Sequence, residues 1–168
     1  MRGLVRILAG GGLLLAGACS HYQVGTTLPP NLRTVYVPTF VNSTKEVGVE
    51  VDITDAVINR LRQDGNLQPV PRSDADTVLQ GEIVDWTRRV MGLSGRDDDE
   101  VDEYRLIIRA RISLTDRRTG EKLVAHQTVQ GKTDFFVEGS LPQSEENARP
   151  LAYRDLAREV VDAVVSYW

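Results

Sequence analysis

Arg105, Arg109 and Arg111 place three guanidinium groups within seven residues, all at odd-numbered positions. Residues two apart in an extended chain share a face, so in a strand these three project together. A planar guanidinium fork fits the paired oxygens of a phosphate or a carboxylate. Two uses therefore compete: contact with an anionic ligand, or pairing across strands with Glu82 and other acids on a solvated sheet. Arg88, Arg89 and Arg96 flank the loop between the second and third expected strands. Phe136, on the opposite face from Phe135, is a candidate contact to a partner wall or an acyl chain. Other chemistry is missing from the pattern. The stretch Gly95–Glu103 carries six carboxylates in seven residues but lacks the turn glycine of an EF-hand loop, so a solvated loop is expected rather than a cation site. His21 and His126 stand far apart with no ligand spacing. No Gly-x-Ser-x-Gly elbow or phosphate-cradling glycine loop occurs. No catalytic residue, metal or cofactor is assigned, and the chain reads as a non-enzyme.

The single cysteine carries chemistry of another kind. Arg2 and Arg6 are the only charges in the first 32 residues, and twelve uncharged residues separate Arg6 from Cys19. A basic start, a short apolar run and small residues at a cut site make a secretory leader. The run falls short of the roughly 20 residues a spanning helix needs. Leu15-Ala16-Gly17-Ala18-Cys19 resembles the lipobox of bacterial lipoproteins, with Ala16 where leucine is usual. The competing reading is a plain secreted protein with a chance cysteine. A lone thiol in an oxidising compartment is a liability, and acylation removes it. The expectation is cleavage after residue 18, lipidation at Cys19 and attachment to a membrane through that lipid. Without the leader, 18 basic side chains face 24 acidic ones, a net charge near −6. Nucleic acid, which selects a basic footprint, is not an expected partner.

These groups need a scaffold. Residues 19–32 read as a lipidated tether and 33–168 as one domain. Arg33–Val41 is β-branched and aromatic, a strand that must lie at an edge or end near Pro38. Helical spacing over 49–64 aligns Ile53, Val57, Ile58 and Leu61, with Gly65 as the stop. A second strand covers about 77–90, with a bulge or change of face expected near Trp86. Over 104–114, Tyr104, Leu106, Ile108, Ala110, Ile112 and Leu114 alternate with the arginines, the pattern of a half-buried antiparallel strand. Asp116–Gly120 turns the chain into a fourth strand at about 121–137. A loop at 138–146 precedes a last helix capped by Asn147, with Pro150 in its first turn. The expected order is β-α-β-β-β-α, an α/β (α+β) two-layer sandwich with two helices on one face of a four-stranded mixed sheet.

In order and character these segments resemble the LptE family of lipopolysaccharide-assembly lipoproteins. The residues carrying the resemblance are Cys19 and Tyr22, Val35–Asn42, Val51–Leu61, Asp64–Leu67, Ser73–Ile83, Asp116–Gly120 and Asp155–Val161. It implies a two-layer fold on the periplasmic face of the outer membrane. It also implies assembly with, and plugging of, an LptD-type β-barrel that inserts lipopolysaccharide into the outer leaflet. Ser20 after the cysteine is compatible with outer-membrane sorting. On this resemblance Arg88, Arg89, Arg96, Arg105, Arg109, Arg111 and Phe136 become candidate contacts to lipopolysaccharide or barrel. The alternative is an accessory lipoprotein of another envelope system, such as an ABC-transport auxiliary component.

Overall fold

The computed structural model describes residues 32–93 and 101–166. Cys19, the leader, the tether up to residue 31, Arg96 and most of the acidic loop lie outside these residues, while Leu32 is buried in the core. The elements are β1 (Thr34–Tyr36), β2 (Val41–Asn42), α1 (Val49–Asp64), β3 (Gln68–Pro69), β4 (Thr77–Leu93), β5 (Val101–Asp116), β6 (Lys122–Phe136) and α2 (Leu141–Val165). The mixed α+β character holds, but the sheet has six strands rather than four. Its order is β3-β1-β4-β5-β6, and β2 also pairs with β4.

One extra strand comes from Pro38, and the other, β3, is a short addition ending on Pro69. Pro38 has no N–H for a ladder, so the expected first strand divides into β1 and β2, both parallel to β4. Phe40 lies in the gap with its amide donating to Thr54 Oγ1 at 2.9 Å, so the interruption strands no buried donor. Its ring packs where a side chain on Gly81 would stand; a Cβ there would meet it at 2.3 Å. Downstream, Pro69 ends α1's reach as expected, yet Gln68–Pro69 still adds parallel to β1, because the amides that bond it flank the proline: Gln68 donates to the Arg33 carbonyl at 2.8 Å and Val70 to the Val35 carbonyl at 3.0 Å. Asp76 fastens that corner: its Oδ2 accepts the amides of Arg33 and Thr34, both at 3.0 Å, and the Thr34 hydroxyl at 2.8 Å.

α1 follows its pattern. Ile53, Val57 and Leu61 are fully buried, and Gly65, at φ +80°, donates its N–H to the Leu61 carbonyl. α2 departs from it: the helix begins at Leu141, with Ser140 at the cap position, so Asn147 is not the cap and Pro150 lies inside the helix. The apolar stripe runs back through Ala152 and Ala148, but its next position inward is Glu145, buried like its neighbours. A charged residue on the core stripe hid the first two turns. Pro150 is tolerated because it and Glu146, whose carbonyl loses a donor, both face solvent. Ser144 Oγ, accepting the Glu138 amide at 2.9 Å, fixes the chain entering the helix.

The long hairpin β4-β5-β6 is antiparallel. Leu106, Ile108, Ala110, Ile112 and Leu114 point into one core shared with both helices. β4 shifts register between Ile83 and Asp85, next to Trp86, and Val84 is the extra residue. The bulge puts Asp85 on the arginine face and Trp86 on the helix side. Gly131 permits the tightest approach of α2, since a Cβ there would lie 2.4 Å from the Leu156 backbone nitrogen.

Candidate functional site

The sheet face turned away from the helices carries a ladder of charge pairs. Arg105 reaches Asp134 on β6 with two bonds, 2.5 Å from Nε and 2.7 Å from Nη2. Arg109 pairs with Asp85 on β4, and its Nε donates to Gln130 Oε1 at 3.2 Å. Arg111 meets Glu82 at 3.1 Å, and Ser43 donates to the same carboxylate at 2.7 Å. The Arg105 hydrogen bonds hold the Asp134 carboxyl below the usual carboxylate range, and the same bonds raise Arg105. Between these arginines Ile107 is only 4% exposed despite facing outward, in the position that arginine stems cover. All three sequence-predicted arginines thus share one face, each with a carboxylate partner. An anionic ligand arriving there would find unused N–H donors on guanidiniums already held in place.

Arg89 belongs to the same face, opposite Arg105 in register, and is exposed. No ion pair is recorded for it among the described residues. Arg88 points the other way: it pairs with Glu145 on α2 and lies over the Tyr104 ring, 5.8 Å from its centre. Phe136 closes the arginine face at the far end of β6, opposite Glu103 and 62% exposed. Val90 and Met91, at the same end of β4, are exposed too. The far end of the hairpin therefore combines open apolar surface with Arg88 and Arg89. Arg96 lies outside the described residues.

Sequence reasoning missed the cluster on the helix side. Glu145 is 5% exposed; it accepts the Trp86 indole N–H at 3.2 Å and pairs with Arg88. Arg149 stacks over Trp86 at 5.2 Å and bridges Glu46 and Glu146, each at 3.0 Å. Tyr153 packs beside the same indole, and burial pushes its hydroxyl up to about 12. The signals were Trp86 breaking the strand alternation and a Glu-Glu pair followed by Arg at helical spacing. This cluster joins α2, β4 and the segment before α1, which is structural work. Among the described residues no three His, Cys, Asp or Glu converge as a metal site, and no helix is long and apolar enough to cross a membrane.

Comparison with known proteins bears on the whole domain. The family described as LptE, lipopolysaccharide-assembly, matches residues 32–168. Among solved structures, a hypothetical protein from Chlamydia trachomatis superposes with a TM-score of 0.58 at 13% identity, covering 81% of this chain and 97% of that one. A minor lipoprotein from Acinetobacter baumannii gives 0.53 at 18% identity, over 80% and 93%. A putative lipoprotein from Caulobacter crescentus gives 0.52 at 12% identity, over 78% and 88%. At these identities the likeness is one of fold. No curated protein sequence matches the chain.

Proposed function

Starting from the fact that the chain belongs to the LptE lipopolysaccharide-assembly family, we propose that it is lipidated at Cys19, held on the periplasmic face of the outer membrane, and seated in an LptD-type β-barrel. There it acts as plug and assembly partner while lipopolysaccharide passes to the outer leaflet. The observation that carries this reading is the family match across the entire folded domain. The geometry agrees with a non-catalytic role. A flat face of anchored guanidiniums can meet polar groups of a barrel lumen or the phosphates of lipopolysaccharide. Arg89 and Phe136 offer one free cation and one apolar ring at the end of that face, a pairing suited to an anionic lipid. Arg88 is committed to Glu145 and contributes to the fold first.

Two measurements on one preparation test the proposal. The chain, tagged at its C-terminus and extracted in mild detergent, should bring down a large β-barrel protein. Its N-terminal peptide should carry acyl chains on Cys19. A bare thiol or an intact leader removes the anchor; a preparation without a barrel removes the partner.

A further inference from the structure

β6 is the outer strand on one side of the sheet, and a segment of its edge is open. The Lys132 amide points away from β5, because it donates to Asp155 Oδ2 of α2 at 2.9 Å. Strand alternation then turns the backbone N–H and C=O of Thr128 and Gln130 outward as well. Among the described residues nothing meets them. The opening has two ends. Asp155 closes one by standing where the carbonyl of a further strand would be. At the other, β6 shifts register beside His126, whose φ is +50° and whose amide is taken by Ser113 Oγ at 3.1 Å. Beside this stretch α2 forms a wall, and strand and helix enclose a groove of about 600 Å³. Three carboxylates on the wall, Asp155, Glu159 and Asp162, share Arg158 at 2.7, 2.8 and 3.8 Å. Arg60 reaches Asp162 only at 3.9 Å, and Lys132 is the one cation on the strand side of the groove.

We propose that this groove receives an extended polypeptide segment of a partner protein as a seventh strand beside β6, with basic side chains turned toward α2. Natural sheets blunt exposed edges with bulges, charges and covering groups. Here the His126 bulge and Asp155 do so on either side of Thr128–Gln130 and leave that stretch bare. Main-chain pairing supplies the attraction in strand addition, and side-chain pockets supply the selectivity. In this groove the selective element is the carboxylate row on α2: Asp155, Glu159 and Asp162 outnumber the lining cations Arg158 and Lys132 by one, with Arg60 outside the lining. The inference does not depend on the barrel reading, which concerns the arginine face and the far end of the hairpin.

The test uses the full chain in mild detergent and two synthetic nine-residue peptides, one alternating lysine with valine, the other glutamate with valine. The lysine peptide should bind at least about tenfold tighter by calorimetry. Hydrogen exchange at the Thr128 and Gln130 amides should slow on its addition. Gln130→Pro, which removes an outward N–H and no β5 bond, should abolish binding. Should that variant fail to fold, Glu159→Lys with Asp162→Lys leaves the strand untouched and should reverse the preference between peptides. Equal affinities, protection only elsewhere, or no binding would overturn the proposal. So would amides at 128 and 130 that are already protected without peptide, because the edge would then be filled by the chain itself or by a second copy.

Discussion

Replacing Glu145 tests the structural account most sharply, because a charged residue occupies a core position of α2. Its carboxylate accepts from the Trp86 indole and pairs with Arg88, and it is 5% exposed. Glu145→Ala removes both contacts, together with a longer ion pair to Arg149 at 3.9 Å. An indole N–H left without an acceptor in a half-buried setting costs about 1–3 kcal/mol. The Arg88 side chain is 43% exposed, so losing its partner adds at most about 1 kcal/mol after solvent screening. The expected loss is about 1–4 kcal/mol, a fall in Tm on the order of 3–15 °C for a domain of this size. Glu145→Gln keeps an acceptor for the indole and gives up only the charge, so about 1 kcal/mol is expected. Urea unfolding followed by tryptophan fluorescence reads both variants. A cycle with Arg88→Ala should show coupling between positions 88 and 145. If Ala and Gln cost the same, or if both cost under about 0.5 kcal/mol, the indole bond does not hold α2 to β4 and the reasoning fails.

Three other outcomes follow from the same structure. Gly131→Ala drives a methyl into the Leu156 N, Cα and Cβ, none of them the flexible end of a side chain, so about 1–3 kcal/mol should be lost in thermal unfolding. Asp76 is held below the usual carboxylate range, first by the Thr34 hydroxyl and then by the Arg33 and Thr34 amides. Because the folded-state value is the lower one, the unfolded chain binds more protons as pH falls through the carboxylate range. The stabilisation is therefore complete above that range and disappears below it. The urea midpoint should drop between roughly pH 5 and pH 3, and less steeply in Asp76→Asn. On the arginine face, reversal to Glu would crowd Asp85, Asp134 and Glu82 with further carboxylates. The neutral triple change Arg105→Gln, Arg109→Gln and Arg111→Gln is the cleaner perturbation. It should leave circular dichroism unchanged and weaken lipopolysaccharide or barrel association in a pull-down; unchanged association would leave the arginines as sheet-pairing groups only.

Elements whose periodicity is carried by apolar side chains were readable from the chain. The 104–114 alternation and the Ile53–Val57–Leu61 stripe appear where spacing placed them, because burial alone dictates those positions. Pro38 forced an interruption, but the sequence did not say that both halves would dock on β4. That outcome depends on Thr54 satisfying Phe40 and on Gly81 making room for its ring. The start of α2 was illegible for a related reason: Glu145 and Ser144 carry polar signals, and only their partners on other elements make them interior. The co-facing of Arg105, Arg109 and Arg111 followed from parity. Their engagement with Asp134, Asp85 and Glu82 did not, since the β4 bulge decides that Asp85 shares their face. The same bulge decides that Arg89 rather than Arg88 shares that face, since neighbours in a strand always point apart.

We propose that this domain works inside a lipopolysaccharide-inserting barrel, with its arginine face against the wall or its cargo. A photoreactive amino acid at position 109, activated in intact cells, reports what that face touches. A covalent adduct with a large β-barrel protein or with lipopolysaccharide is the predicted product. An adduct with transport-permease subunits, or no adduct alongside normal expression, would contradict it.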